Sequence, residues 1–238
     1  MEAQQNTARS SRRRLSSEAY EVLRNALFEG KIRPGDRLSE AQLAEELMIS
    51  RSPLREALGR LELEGFVERM PNGRLRATPF DVTELEQLYV LRATLEGLMA
   101  RLAAPRLTSE DLARMAETIN EMAHHIQSGA IQKSLDAGYR FHTAIQERCL
   151  NRPLTEAVSM VRLRIVRFRS LIASVRSHEA RVAEHWAIHK AFFDRRPDLA
   201  EKAMIEHVER SAATIIAAVK VIPAENKGLY AEAHKLGE

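Results

Sequence analysis

The hydrophobic pattern changes its period once, near residue 66, and this change constrains the fold more than any other feature of the chain. Before it, three short stretches carry apolar residues at helical spacing, over residues 17–29, 39–47 and 50–64. After it, residues 66–70 and 75–78 flank Asn72-Gly73, a dipeptide typical of tight β-hairpin turns. The pattern therefore predicts three helices followed by a two-stranded hairpin.

Local signals support the same assignment. Ser39 with Gln42 forms a capping box that opens the second helix, and Ser50 is placed to cap the third. Three short helices followed by a hairpin is the order of a winged helix-turn-helix domain, which we expect over residues 16–79. Residues 1–15 show no apolar periodicity, and we expect a flexible basic arm whose run Arg12–Arg14 either contacts phosphates or is simply solvated.

The rest of the chain is helical in pattern. Aromatic residues make up only 5% of the sequence, and Leu, Ala and Glu recur throughout, a composition that favours helix over strand. Proline and glycine breaks divide residues 83–222 into about six helices, which is enough for a separate all-α bundle. We expect residues 223–238 to form a loose tail. The predicted fold class is mainly α.

Composition excludes several classes of protein. No run approaches the ~18 apolar residues of a membrane span, so a soluble protein with no membrane partner is expected. The polar N-terminus shows no secretory signal. The single cysteine, Cys149, excludes an intrachain disulfide and is typical of a reducing cytoplasm. The net charge of +3 is too small to prove a nucleic-acid partner by itself.

The motifs of the first segment resemble those of the GntR family of bacterial transcription regulators. The resemblance covers residues 17–80, and the stretches that carry it are 34–40, 50–58, 64–67 and 72–74. Residues 81–222 resemble, more loosely, the FCD ligand-binding domain of the FadR branch. The resemblance implies a cytoplasmic, nucleoid-associated repressor that binds an inverted-repeat operator as a homodimer. It also implies that residues 83–222 bind a small effector and dimerise, and that the protein is not an enzyme.

Helix-turn-helix proteins place the start of their second helix in the major groove. Arg51 and Arg55 lie four residues apart on a face that avoids the apolar stripe, and arginine can grip guanine through two hydrogen bonds. The alternative is that these arginines form surface ion pairs, for instance with Glu56. The candidate DNA-binding residues, at the helix start and the wing tip, are Ser50, Arg51, Ser52, Pro53, Arg55, Asn72, Gly73 and Arg74.

Three of the eight histidines, namely His142, His185 and His207, fall on the apolar faces of three different predicted helices. One such residue would be a satisfied core histidine. Several on inward faces of one bundle indicate convergence on a metal, because imidazole is the commonest metal ligand. His189, one turn after His185, is better placed as a pocket wall than as a ligand.

The resemblance to FCD domains implies a divalent metal held by an Asp-x-x-x-His pair and two later histidines. His142, His185 and His207 match the three histidine positions, but the aspartate position is Gly138. Asp136 lies about 200° around the helix and cannot substitute. Three histidines with an open position favour Zn²⁺ and leave room for an effector carboxylate.

The effector pocket is less defined by the sequence. We expect Arg92, Tyr139 and His189 to line it, although Arg92 is equally able to form an exposed pair with Glu96. Three neutral ligands with an open position are also the layout of a catalytic zinc site, so a helical zinc hydrolase is the alternative function. No general base stands at recognisable spacing to support it. A third possibility is an interaction domain in which all the histidines are structural.

Overall fold

The computed structural model describes residues 2–166 and 179–221. The chain divides into two compact units, with the division between Asp81 and Val82. The first unit contains three helices and three short strands. Its elements are α1 (Glu2–Phe28), β1 (Arg37–Leu38), α2 (Glu40–Glu46), α3 (Arg51–Leu63), β2 (Val67–Arg69) and β3 (Leu75–Ala77).

The three strands form one antiparallel sheet in the order β1-β3-β2. Strands β2 and β3 form the predicted hairpin, in which Val67 lies opposite Ala77. Gly73 adopts a φ of +79°, a conformation that glycine tolerates best, and its N–H donates to the Met70 carbonyl at 2.8 Å. Strand β1 was not predicted, because two residues are too few to show an alternating pattern.

The core of this unit lies where α3 packs on α1. Leu54, Leu58 and Leu61 of α3 are completely or almost completely buried, as are Tyr20 and Leu23 of α1. The buried residues of α3 have the helical spacing that the sequence shows over residues 50–64. The Ser39 hydroxyl accepts a hydrogen bond from the Gln42 N–H at 3.4 Å and caps α2, whereas Ser50 is the N-cap of α3 without a side-chain bond.

Helix α1 begins at Glu2, well before the start near Ser17 that the apolar pattern predicts. The pattern marks only where a helix has a face to bury, and residues 2–14 are rich in Ala, Gln and Arg, which form helix without one. Arg12, expected in a flexible arm, forms an ion pair with Glu56 of α3.

The second unit is a bundle of six helices within the described residues, so the mainly α prediction and its helix count are confirmed. The helices are α4 (Val82–Ala103), α5 (Ser109–Gln127), α6 (Ile131–Cys149), α7 (Arg152–Val166), α8 (Glu179–Phe193) and α9 (Pro197–Val221). Helix α4 packs on α9 and α6, while α5 packs on α6 and α8. Residues 167–178 of the predicted bundle and the predicted tail at 223–238 lie outside the described residues.

Buried charge joins α5 to α6. Thr108 and Asp111 form a capping box at the start of α5, and the Asp111 carboxylate also accepts two hydrogen bonds from Arg148 of α6, at 2.7 and 2.9 Å. Arg148, with help from Thr108, lowers the pKa of Asp111 despite burial. Asp111 therefore stays charged at neutral pH and holds the two helices in register.

Gly97 marks the closest approach of α4 and α9. A Cβ atom at position 97 would lie 2.6 Å from Cγ1 of Ile205, closer than packed atoms allow. We expect Gly97→Ala to destabilise the bundle by about 1–3 kcal/mol in urea unfolding, since overpacking outweighs the better helix propensity of alanine. Ile205→Ala should suppress the loss in the double variant. Gly59→Ala in α3, where a Cβ meets nothing within 4 Å, should cost no stability. Equal losses of stability in Gly97→Ala and Gly59→Ala would contradict the overpacking explanation.

Among the described residues, no helix combines the length and apolar character needed to cross a bilayer.

Candidate functional sites

The first turn of α3 presents the predicted DNA-reading side chains. Arg51, Ser52 and Arg55 are exposed, and Ser50 precedes them, also exposed. Pro53 is buried, so its role is to support the helix start rather than to contact DNA directly. The side chain of Arg51 makes no hydrogen bond or ion pair within the part of the chain that the structure describes.

Arg55 is paired, but not with the acid that the sequence singles out. Its Nε donates to Oε2 of Glu40, the first residue of α2, at 2.7 Å. Glu56 instead pairs with Arg12 of α1. Glu40 of α2 and Glu56 of α3 thus have different partners, and only Glu40 contacts a candidate DNA-reading side chain.

The wing tip lies at the turn between β2 and β3. Asn72, Gly73 and Arg74 are exposed, and the Asn72 side chain accepts a hydrogen bond from the Arg74 N–H at 3.0 Å. A groove of about 430 Å³ separates this turn from the start of α2. Exposed Arg37 of the unpredicted strand β1 also lines the groove, so a further cation joins the candidate DNA-binding residues.

Three histidines converge in the bundle, as the sequence predicts. One ring nitrogen from each of His142 (α6), His185 (α8) and His207 (α9) lies within 4.8 Å of the other two. All three side chains are at most 5% exposed, and the rings of His185 and His207 are 4.5 Å apart between centroids. We call this cluster the histidine triad.

Neighbouring acceptors fix the orientation of the triad. His185 Nδ1 donates to the Arg181 carbonyl at 2.7 Å, and His207 Nδ1 donates to Oε2 of Glu184 at 2.8 Å. His142 Nδ1 lies 3.0 Å from Oε2 of Glu96, and neither of these buried atoms has another hydrogen-bond partner among the described residues. With Nδ1 carrying the proton, each Nε2 keeps a free lone pair, the arrangement typical of metal-binding histidines.

Glu96 is completely buried in α4, and its Oε2 lies 3.0 Å from Nδ1 of His142. Its Oε1 accepts hydrogen bonds from Nε of Arg92 at 2.7 Å and from Nε of Arg162 at 2.8 Å. Burial alone would raise the pKa of Glu96, but Arg92, Arg162 and His142 together hold that pKa well below its usual value. Arg92 therefore forms the expected pair with Glu96, yet the pair is inside the bundle rather than on its surface.

The histidines of the triad are neutral at pH 7. Burial lowers the pKa of His142, although Glu96 opposes this effect. Burial, together with the neighbouring imidazoles, lowers the pKa values of His185 and His207 well below the ordinary value. A cation entering the site would therefore compete with few protons at neutral pH.

Position 138 faces the triad. A Cβ atom on Gly138 would lie 3.8 Å from Nε2 of His185 and 3.5 Å from Cε of Met122, both ordinary contact distances. An aspartate at position 138 would therefore lie beside the histidines, as the resemblance implies. In this chain the flexible side chain of Met122 packs next to the position instead.

Two residues predicted for the effector pocket are placed elsewhere. Tyr139 is 60% exposed, because it lies about 60° from His142 on the side of the helix opposite to buried Gly138 and Ile145. His189 Nε2 is 2.9 Å from the Leu112 carbonyl, so this ring links α8 to α5. Arg92 alone of the three lies next to the triad, through Glu96.

The residues present fit a metal ion. His185 Nε2 is buried and has no hydrogen-bond partner, which is costly unless a ligand satisfies it. Glu96 and Glu184 place carboxylate oxygens beside Nδ1 of His142 and of His207, as is usual for imidazoles that bind a metal through Nε2. His142, His185 and His207 would hold the ion, which would supply an open coordination position as a Lewis acid.

A winged helix followed by a helical bundle with a buried histidine triad is the arrangement of a transcription regulator that binds DNA with one domain and a ligand with the other. The chain matches the family described as bacterial regulatory proteins, gntR family, over residues 15–76, and the FCD domain over residues 87–210. It belongs to the GntR family of bacterial regulatory proteins and carries an FCD domain, as the sequence motifs indicated.

Individual relatives agree with this assignment. The Nta operon transcriptional regulator of Aminobacter aminovorans is 32% identical over 182 residues, which cover 75% of this chain and 83% of that protein. The HTH-type transcriptional repressor RspR of Escherichia coli is 22% identical over 92% of this chain and 94% of that protein. The solved structure of E. coli McbR/YncC has the same fold, with a TM-score of 0.69, 22% identity and coverage of 84% of this chain and 96% of that one. These relatives are regulators rather than enzymes, and the hydrolase alternative has no support among them.

Proposed function

We propose that the protein is a metabolite-responsive repressor that acts on DNA in the bacterial cytoplasm, at the nucleoid. The exposed start of α3 carries this proposal, because Arg51 and Arg55 project from the end of the helix that helix-turn-helix proteins insert into the major groove. The name of RspR, a repressor of the same family, supports repression rather than activation.

We infer that the repressor is a homodimer that reads an inverted repeat through its two helix-turn-helix units. The exposed face of α4 supports a self-interface: Val90 is 71% exposed, Leu91 47% and Leu98 39%. No residue exposed on this face between Gln87 and Leu98 is charged, which is typical of an interface core.

The bundle is the sensor in this proposal. The histidine triad holds a divalent ion, with Zn²⁺ preferred because it accepts three imidazoles and an open fourth position. A carboxylate of the effector occupies the open position. Arg162, which is buried and has one nitrogen, Nη2, without a partner, supplies a donor for an anion, and Arg92 adds a second positive charge. Effector binding changes the affinity for the operator.

Arg51→Ala tests DNA reading directly. The variant should bind the operator roughly 5- to 150-fold more weakly, because one bidentate arginine–guanine contact contributes about 1–3 kcal/mol. Gel shifts at fixed salt with full-length protein measure the loss, and the operator is a duplex that the wild-type chain selects from a randomised pool. Arg152→Ala, which removes an exposed arginine of α7 paired with Glu156, is the control. Operator binding by Arg51→Ala that equals the parent would refute the placement of α3 in the groove.

A further inference from the structure

One arginine of the recognition helix is held in place before any DNA is bound. Arg55 Nε donates to Oε2 of Glu40 at 2.7 Å. The side chain of Arg51, one turn earlier on the same face, has no hydrogen bond within the described residues. The two candidate reading arginines therefore differ in how far their guanidinium groups are oriented in the free protein.

Glu40 is well fixed for this role. It is the first residue of α2, directly after the N-cap Ser39, and a carboxylate in the first turn is favoured by the helix dipole. Its side chain is 26% exposed, compared with 65% for Arg55. The carboxylate is thus the less mobile partner, and the guanidinium takes its position from it.

The atoms used in the contact leave the reading end of Arg55 free. Glu40 engages Nε, so the fork formed by Nη1 and Nη2 keeps the donors that can bind O6 and N7 of a guanine. We propose that Glu40 is a specificity-determining positioning residue, which aims the fork of Arg55 at a base edge and keeps it away from the phosphates.

The same carboxylate opposes non-specific binding. Glu40 lines the groove that also contains Arg37 and Arg74, where its negative charge repels DNA phosphates. Removing it therefore has opposite effects on the two modes of binding: reading of the correct base becomes weaker, while general attraction to DNA becomes equal or stronger. A surface ion pair that only stabilised the fold would not separate these modes.

The test compares full-length Glu40→Ala, Glu40→Gln and Arg55→Ala with the wild type. Each binds the duplex that the wild-type chain selects from a randomised pool, single-base variants of that duplex, and an unrelated duplex, all at one salt concentration. We expect Glu40→Ala to lower the ratio of specific to non-specific affinity by roughly 10-fold, about the value of one bidentate base contact. Its affinity for the unrelated duplex should be unchanged or higher.

The base pair at which sequence preference is lost shows whether Glu40 acts through Arg55. Glu40→Ala and Arg55→Ala should lose preference at the same base pair, and the double variant should be no less specific than Arg55→Ala alone. Glu40→Gln, which keeps an acceptor without the charge, should retain the base preference and bind the unrelated duplex more tightly. Glu21→Ala, which breaks a comparable pair with Arg24 on α1, should leave the ratio unchanged. A Glu40→Ala variant with the wild-type ratio, or with both affinities reduced equally, would overturn the proposal.

Discussion

Protein purified without chelators should contain about one equivalent of zinc, and His185→Ala should contain none. The histidine triad brings one ring nitrogen of each imidazole within 4.8 Å of the other two, so loss of one histidine leaves too few ligands for tight binding. At 100 times its dissociation constant, a ligand stabilises the fold by about 2.7 kcal/mol, which raises the melting temperature of a domain this size by about 5–11 °C. Elemental analysis and thermal unfolding measure both effects.

Two variants make the metal test specific. His189→Ala removes an imidazole one turn away on the same helix, and it should keep the metal because His189 contacts the Leu112 carbonyl instead. Gly138→Asp should add a carboxylate beside the triad and extend binding to harder ions such as Mn²⁺. Native protein that carries no metal and does not respond to added zinc would leave the triad as ordinary core residues.

We expect Leu91→Glu to convert the proposed dimer into monomers at micromolar concentration. In a two-fold interface each substitution occurs twice, so the variant would bury two carboxylates among apolar residues without partners. A monomer engages one half-site and loses the gain from linked binding, which is roughly 10²- to 10⁴-fold in operator affinity. Light scattering and gel shifts on one operator report the two losses.

Leu199→Glu is the matched control for the interface. Leu199 of α9 is 41% exposed, close to the 47% of Leu91, but lies outside the α4 face. It should remain dimeric with the parent operator affinity. If Leu91→Glu also remains a dimer, the self-interface lies elsewhere on the chain.

The sequence predicts what periodic patterns and short motifs encode. The helix stripe of α3, the Asn72-Gly73 turn and the six-helix bundle all depend on local spacing, and the structure contains each of them. The meeting of His142, His185 and His207 was also predicted, since each lies on an apolar face. Their role as metal ligands stays a prediction.

The sequence does not predict contacts that depend on how distant elements pack. Glu96 has the pattern of a surface acid paired with Arg92, whereas its burial also depends on Arg162, which approaches from α7, 66 residues later. Glu184 and Glu40 were missed for the same reason. Tyr139 was misplaced because His142 lies at the edge of the buried face of α6, and three residues in one direction give exposed Tyr139 whereas three in the other give buried Ile145.

Helix α4 has consequences for anyone who would adapt this protein as a biosensor. Its inner face carries Glu96 beside the triad and Gly97 against α9, while its outer face carries the exposed apolar residues around Leu91. Because the proposed sensor and the proposed self-interface share this helix, a substitution here would change sensing and assembly together, and a library built on α4 would mix two phenotypes. Helices α5 and α6 offer better positions: Met122 and Gly138 border the triad and are distant in sequence from the α4 face. Randomising that pair should retune ligand choice while leaving oligomeric state and promoter choice intact.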